Sequence, residues 1–264
     1  KSGNGVTAMT SPASTGGLEP VVRGGAIHRT CPTDLRALPP VAVTAPEAVR
    51  EAVSRARRAQ HIWRNQPFEE RVAALKRAAQ TMLIRRNEVL SLVKLEVGKV
   101  DVDAMFTEAL GPLDAVSGWA RVAGKAVKKK VRLNPLSFPK KRAHIDLVPR
   151  GVIGVIAPWN YPVSGLYRSL IPALMTGNGV VLKPSEYTPL SSAWLAERLA
   201  EELLEGLLQV VQGDGTVGAA LLEAGIDACV FTGSGKTGKK VFQPSALIKS
   251  LAASGEKLAT RTAA

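Results

Sequence analysis

The sequence predicts a protein of the α/β class, with helices first and a parallel sheet after them. Two observations lead to this prediction. Apolar residues recur at helical spacing from about residue 46 to residue 98, and after Gly151 short β-branched runs alternate with amphipathic stretches. Strands that alternate with helices at this spacing form βαβ crossovers, which place parallel strands side by side.

Composition places the chain among ordinary globular proteins. Of its 264 residues, 45% are hydrophobic and 22% are charged, which excludes a disordered or low-complexity protein. The two cysteines, Cys31 and Cys229, are too few for a disulfide framework or a four-cysteine metal site, and no metal is predicted. The best apolar run, Leu170–Leu182, is interrupted by proline and glycine, so no membrane span is predicted.

The N-terminal part divides into an arm and a helical region. The first forty residues are rich in glycine, proline, serine and threonine, which predicts a flexible arm with little core of its own. The chain begins at Lys1 instead of methionine, so we expect either processing or a missing start. A first helix is predicted from Pro46, with Thr44 as its cap. A longer helix is predicted from Pro67 to about Gly98, since glycine is a usual stop signal.

Positive charge is concentrated in one segment. The net charge is +13, and nine lysines and arginines but no acid lie between Asp114 and Asp146. Residues 128–148 alternate apolar and polar side chains around prolines, which predicts an exposed β-hairpin. Such charge is typical either of a nucleic-acid or anionic-lipid surface or of a solvated ribbon. We favour the ribbon and expect no nucleic-acid partner, because no recognition motif or interleaved aromatic residues accompany the charges.

Four strands, each followed by a helix, are predicted after Gly151. The strands are Val152–Ala157, Val180–Leu182, Leu207–Val211 and Ala228–Phe231; the helices are Val163–Thr176, Pro189–Leu204 and Val217–Ala224, with a fourth opening after Ser234. Ligands bind such sheets at the carboxyl ends of the strands. We therefore expect a site in the loops that follow these four strands.

Two glycine patterns compete for a phosphate group. Residues 213–218 (GDGTVG) form G-x-G-x-x-G between a strand and a helix, which is typical of a dinucleotide site, although the acid expected about 20 positions later is absent. Residues 233–238 (GSGKTG) contain Gly-Lys-Thr, but Val230 stands where a triphosphate-binding loop needs its first glycine. This second pattern is better interpreted as free amides at a helix start, with Ser234 beside them, facing a diphosphate.

Three ordered motifs give the chain a resemblance to a known family. They are Val152–Pro162 (VIGVIAPWNYP), Gly177–Glu186 (GNGVVLKPSE) and Phe231–Ser234 (FTGS). Together they resemble the cofactor half of an aldehyde dehydrogenase, and the resemblance reaches from about Pro40 to Val241. It includes Glu96–Lys99 (EVGK). The family implies oxidation of an aldehyde, with NAD(P)+ and water, to a carboxylic acid and NAD(P)H.

The resemblance also implies roles for single residues. Asn160 would be an oxyanion-hole donor, which stabilises negative charge building on the aldehyde oxygen. Trp159 and Pro158 would line the nicotinamide side, and Lys183 and Glu186 would hold the adenosine ribose. A carboxylate at the ribose favours NAD, with NADP not excluded. Ser234 would face the pyrophosphate, and the complete implied cofactor set is Ile156, Pro158, Trp159, Lys183, Ser185, Glu186, Gly213, Gly218, Phe231, Thr232, Gly233 and Ser234.

Each of these residues also has a plain structural interpretation. Asn160 would then cap the helix that follows it, and Trp159 would belong to the core. Lys183 and Glu186 would form a surface ion pair. The ordered set of motifs favours the functional interpretation over this one.

The sequence departs from the family in its chemistry. The family's nucleophilic cysteine and its glutamate in a Leu-Glu-Leu-Gly-Gly context are both absent. Cys229 is expected to be a buried structural thiol within a strand, and Cys31 precedes the resemblance. Glu256 lies at about the right distance after Ser234, but its neighbours differ. We therefore expect a truncated member of the family, with a chain that is inactive as written.

The predicted organisation has four parts: a flexible arm (1–40), helices with the basic hairpin (41–148), a dinucleotide-binding Rossmann-like unit (149–241) and a divergent tail (242–264). The hairpin corresponds to the family's oligomerisation hairpin, so a homo-oligomer is expected for the whole protein. For the whole protein, the resemblance implies an aldehyde as the small-molecule substrate and NAD as the cofactor. We expect a cytoplasmic location. The alternative function is a non-catalytic NAD-binding or association module.

Overall fold

The computed structural model describes residues 18–126, 128–131 and 143–242. Three predictions fall outside these residues. They are the first part of the arm, the tip of the basic hairpin, and the tail after Phe242, which includes Glu256. The rest of the predicted architecture can be compared with the structure element by element.

The segment before the first helix is more ordered than the predicted arm. Strands β1 (Val21–Arg23) and β2 (Ala26–His28) form a hairpin, and β2 also pairs antiparallel with β3 (Val41–Ala42). Ile27 is completely buried, and Arg29 forms a buried ion pair with Glu96. The prediction of a flexible arm is thus corrected over residues 18–40, because strand pairing and a buried side chain hold this segment to the helices.

Three helices follow. They are α1 (Pro46–Trp63), α2 (Phe68–Ile84) and α3 (Arg86–Val97). The predicted start at Pro46 is confirmed, but the predicted cap is wrong. Ala45 is the N-cap residue, and the Thr44 hydroxyl instead accepts a hydrogen bond from the Gln212 amide at 2.8 Å.

The single long helix predicted from Pro67 to Gly98 is two helices in the structure. The helical backbone is interrupted at Arg85, where ψ is 18°, so α2 ends at Ile84 and α3 begins at Arg86. The predicted stop is confirmed, since Gly98 follows α3 with a left-handed φ of 74°.

Residues 101–126 are helical throughout, although no element was predicted there. The segment runs from α4 (Asp101–Ala104) through a π-helical turn (Met105–Leu110) into α5 (Gly111–Ala126). Strands β4 (Lys128–Val131) and β5 (Ala143–Asp146) then pair antiparallel, with Lys128 opposite Asp146. The predicted hairpin is confirmed over its described residues.

The remaining chain forms the predicted parallel sheet. Its strands lie in the order β8-β7-β6-β9, and every neighbouring pair is parallel. This confirms the α/β class. In chain order the elements are β6 (Val152–Ile156), α6 (Ser164–Met175), β7 (Gly179–Lys183), α7 (Pro189–Ala200), β8 (Leu208–Val210), α8 (Gly215–Glu223), β9 (Ala228–Phe231) and α9 (Gly235–Phe242).

The helical region and the sheet pack together in two hydrophobic clusters. Leu75 of α2, Leu170 of α6 and Leu182 of β7 belong to the larger cluster and are completely buried. Val49 of α1 and Val181 of β7 belong to the second and are also completely buried. The Trp63 indole also donates to the Leu174 carbonyl at 2.8 Å. The predicted boundary at residue 148 therefore separates two layers that pack on each other. No helix in the described ranges is long and apolar enough to cross a membrane.

Candidate functional site

A cavity of about 560 Å³ lies at the carboxyl ends of β6, β7 and β9. Its volume is within the range of small-molecule sites. Eleven of the twelve residues predicted to bind a cofactor line it, and the exception is Gly213. The eleven are Ile156, Pro158, Trp159, Lys183, Ser185, Glu186, Gly218, Phe231, Thr232, Gly233 and Ser234.

The register of the sheet explains why these residues converge. Ile156 is paired with Lys183 on one side and with Phe231 on the other, so the three strands end at the same level. The Ala157 amide donates to the Lys183 carbonyl at 3.2 Å, and the Thr232 amide donates to the Ile156 carbonyl at 3.0 Å. The three loops therefore leave the sheet side by side and enclose the cavity.

Lys183 and Glu186 form an ion pair at one wall of this cavity. The Lys183 ammonium lies 3.1 Å from a Glu186 carboxylate oxygen. The lysine is only 4% exposed, whereas the glutamate is half-buried and accessible from the cavity. The alternative prediction of an ion pair at the protein surface is therefore wrong for the lysine, because protein encloses the Lys183 side chain. The Glu186 carboxylate balances its charge at the cavity wall.

The loop after β6 presents Trp159 and Asn160 outwards. Trp159 is 47% exposed, so it is not a core residue, and its ring lies 5.9 Å from the ring of Tyr187. Asn160 is exposed and lies outside the cavity lining. It does not cap α6, because the N-cap residue is Val163 and the first amides of that helix bind Glu108. The oxyanion role of Asn160 stays a prediction.

The first glycine pattern serves mainly to turn the chain into α8. Gly213 has φ +155°, and a Cβ at this position would lie 2.2 Å from a methyl group of Val217. Asp214 caps the helix by accepting from the Thr216 amide at 2.9 Å, and this hydrogen bonding lowers the pKa of the carboxyl. Of the two glycines predicted to bind a cofactor, Gly213 lies outside the cavity lining and Gly218, within α8, belongs to it.

The second glycine pattern forms the start of α9. The Ser234 hydroxyl accepts from the Thr237 amide at 3.3 Å, as an N-cap residue does. A Cβ on Gly233 would lie 2.6 Å from the Phe231 ring, so any other residue there would force that ring to move. The first amides of a helix have no acceptor within the helix, and here they lie beside the cavity. This arrangement suits an anionic group such as a diphosphate.

Sequence reasoning missed one wall of the cavity. Two helical faces form it: α8 contributes Gly215, Ala219 and Leu222 beside the predicted Gly218, and α9 contributes Thr237, Lys240 and Val241. The spacing of three and four residues in both sets is the signal that could have identified them. Tyr187 was also missed, and burial raises the pKa of its hydroxyl.

Neither cysteine lines the cavity. Cys229 is half-buried within β9, and burial raises the pKa of its thiol to about 11. Cys31 is buried, with its sulfur 3.1 Å from the Thr33 hydroxyl oxygen. The prediction of a structural thiol at Cys229 agrees with these surroundings. The described residues contain no group of three or more histidine, cysteine or acidic side chains that could hold a metal ion.

Comparison with known proteins identifies similar chains. The model of the aldehyde dehydrogenase family matches residues 22–257. A 4,4'-diapolycopene aldehyde oxidase of Methylomonas sp is 35% identical over 222 residues, which cover 83% of this chain and 42% of that protein. A benzaldehyde dehydrogenase [NAD(+)] of Pseudomonas putida is 33% identical over 222 residues, with 83% and 45% covered.

Solved structures give the same result. The NADP-dependent glyceraldehyde-3-phosphate dehydrogenase of Bacillus halodurans C-125, complexed with NADP, has a TM-score of 0.76 and 32% identity. The match covers 84% of this chain and 47% of that one. The chain thus spans less than half the length of these three relatives.

Proposed function

The chain belongs to the aldehyde dehydrogenase family, and from that membership we propose that its cavity binds NAD, with NADP also accepted. For the whole protein we propose the family's reaction, the NAD(P)-dependent oxidation of an aldehyde to a carboxylic acid. The observation that carries the proposal is the convergence of eleven predicted cofactor residues on one cavity. Relatives named for NAD and for NADP support both cofactors.

The ribose end of the cofactor would lie at the Lys183–Glu186 pair. The carboxylate of Glu186 accepts from ribose hydroxyls, and the ammonium of Lys183 donates to ribose oxygens. Each group keeps the other oriented when no ligand is present, since their atoms lie 3.1 Å apart. An adenosine ribose without a 2′-phosphate suits this carboxylate best.

The start of α9 would hold the pyrophosphate. The free amides after Ser234 and the positive end of the helix dipole both favour a doubly charged diphosphate. Gly233 lets the loop pass close to the Phe231 ring at the cavity wall, because a Cβ there would lie 2.6 Å from that ring. The small side chains on the inner face of α8, Gly218 and Ala219, leave a slot for a flat ring such as adenine.

The loop after β6 would face the reacting end. When bound, the nicotinamide ring accepts a hydride from the substrate. Pro158 and Trp159 would border that ring, and the exposed Asn160 amide would donate a hydrogen bond to the aldehyde oxygen. Donors aimed at developing charge are worth about 3–4 kcal/mol in comparable sites.

We propose that the 264-residue chain does not itself oxidise aldehydes. The family's reaction needs an accessible thiolate, and Cys31 and Cys229 are its two cysteines. Both lie outside the cavity lining, and the thiol of Cys229 has a pKa near 11. A chain of this sequence would bind cofactor without completing the reaction.

Calorimetry with NAD tests the proposed binding. We expect saturable heat for the purified chain and a loss of at least about tenfold in affinity for Glu186→Ala, since the ribose loses its acceptor. Glu197→Ala is the matched control, because Glu197 is an exposed acid on α7 outside the cavity. Absence of heat at millimolar NAD, or equal losses in both variants, would contradict the proposal.

The second candidate is a non-catalytic association module, favoured by the placement of the two cysteines away from the cavity. We propose that such a chain, or the whole protein, forms homo-oligomers through the β4–β5 hairpin in the cytoplasm. Sedimentation velocity tests the assembly. A concentration-dependent dimer or larger species is expected, and a monomer at all concentrations tested would argue against it.

A further inference from the structure

We infer that two buried glutamates of the helical layer, Glu96 and Glu108, hold the two loops that border the cavity. The loops are residues 157–163 after β6 and residues 184–188 after β7. Each glutamate binds the first amides of the helix that begins where its loop ends. The binding of a dinucleotide by these loops rests on the proposed function. The stabilisation of the loops by the two glutamates does not depend on it.

Glu108 holds the loop after β6. It lies in the π-helical turn, has no exposed area, and its Oε2 accepts from the amides of Val163 at 3.1 Å and Ser164 at 2.9 Å. The N-cap residue Val163 has no side-chain acceptor of its own, so Glu108 supplies the one that the helix lacks. A carboxylate is also favoured at the positive end of the α6 dipole.

Lys99 completes this arrangement. Its ammonium lies 2.5 Å from the other oxygen of Glu108 and 4.0 Å from the centre of the Tyr161 ring. Tyr161 is the residue after Asn160. The loop is therefore fixed at its end by the carboxylate and near its middle by a cation–π contact.

Glu96 holds the loop after β7 in the same way. Its Oε1 accepts from the Leu190 amide at 2.9 Å, and its Oε2 accepts from the Ser191 amide at 2.8 Å and the Ser191 hydroxyl at 2.6 Å. The N-cap residue Thr188 makes no side-chain cap bond. Arg29 supplies the balancing charge, as Lys99 does for Glu108. The loop just before α7 carries Ser185 and Glu186.

The chemistry of the two sites makes them sensitive to a conservative change. In both carboxylates, each of the two oxygens accepts a hydrogen bond. Glu108 accepts from Lys99 on one oxygen and from backbone amides on the other. Glu96 accepts from the Leu190 amide on one oxygen and from the Ser191 amide on the other. A glutamine offers one acceptor and places its own NH₂ against the remaining donors. The amides at the helix start then lose their acceptor, and the adjoining loop is destabilised as a result.

Amide hydrogen exchange, measured without ligand, tests the inference with each variant as the other's control. For Glu108→Gln we expect exchange in residues 157–164 to accelerate by at least about tenfold, with residues 184–191 changed by less than about twofold. Glu96→Gln should give the reverse pattern. Equal acceleration of both loops in both variants, or no acceleration in either, would overturn the inference.

Further variants keep the test decisive if Glu108→Gln does not fold. Lys99→Met retains an apolar stem over the Tyr161 ring and removes the charge, so exchange should accelerate in residues 157–164 alone. Val93→Ala, a core change in α3, controls for global destabilisation and should accelerate neither loop selectively. A chain that binds no NAD would contradict the proposed function, while the exchange pattern would still decide this inference.

Discussion

The ammonium of Lys183 lies 3.1 Å from the carboxylate of Glu186, and the two groups meet at the wall of the one cavity that the predicted cofactor residues share. Lys183 ends β7, whereas Glu186 lies three residues on, in the loop. Strand and loop are thereby joined across the point where a ribose would bind. The pair also leaves the acid exposed to ligand while the lysine is buried, which bears on the choice between NAD and NADP.

Glu186→Gln should shift cofactor preference towards NADP. The carboxylate repels the 2′-phosphate of NADP, and glutamine removes that charge while keeping an acceptor for the ribose. It also frees the buried Lys183 to attract the phosphate. We expect the Kd for NADP to fall by about tenfold relative to that for NAD, as measured by calorimetry with both cofactors. An unchanged ratio would show that the carboxylate does not lie at the ribose.

Lys240→Met should weaken binding of both cofactors. Lys240 lines the cavity, has no ion-pair partner within the described part of the chain, and adds a positive charge that Glu186 does not balance. We expect Kd to rise by about fivefold for NADP, less for NAD, and the difference to shrink at high salt. Lys239→Met is the matched control, since Lys239 is the neighbour of Lys240 on α9 and lies outside the lining. Equal effects of both variants would indicate only a general charge effect.

Local signals in the sequence were sufficient for the sheet and for most of the cavity. The bounds of β9 are those predicted, Pro46 begins α1 and Gly98 ends α3. These depend on nearest neighbours: β-branched runs, a proline in the first turn, and a glycine with positive φ. Because the carboxyl ends of parallel strands meet at one edge of the sheet, the loops after them are predictable as the site from the order of the strands and helices alone.

Features that depend on distant contacts were not predictable. Glu108 binds amides 55 and 56 residues further on, and no local pattern marks it. Arg29 stands in a glycine- and proline-rich segment, yet it is buried because Glu96 lies 67 residues later in sequence and adjacent in space. Gly213 and Gly218 belong to one motif, but Gly213 lies in the turn before α8, packed against Val217, whereas Gly218 lies within α8 and lines the cavity.

The thiol of Cys229 should become reactive only at high pH. Burial raises its pKa from 9.0 to about 11, so at pH 8 the thiolate fraction is about a hundredfold smaller in the folded chain than in the unfolded one. Alkylation by iodoacetamide in a Cys31→Ala background should be slower by about that factor. Rapid labelling of the folded chain at pH 8 would show that the thiol is accessible and ionised.

The same shift predicts a loss of stability in alkali. The folded pKa lies above the unfolded one, so the unfolded chain releases this proton first. The contribution of Cys229 to stability is therefore fully present below pH 9 and declines as pH rises from about 9 to about 11. Denaturant unfolding in that range should show the decline, and Cys229→Ala should reduce it.

The purified chain should produce no NADH from aldehydes above background. The family's reaction begins with attack by an accessible thiolate, but Cys229 is half-buried within β9 and Cys31 is buried against Thr33. Short aliphatic and aromatic aldehydes should be tested with NAD and NADP, for the parent chain and for the Cys31→Ala and Cys229→Ala variants. Turnover that either substitution abolishes would identify that cysteine as the nucleophile. Turnover that survives both would require a nucleophile other than a thiol, and the exposed amide of Asn160 would then have a different intermediate to stabilise.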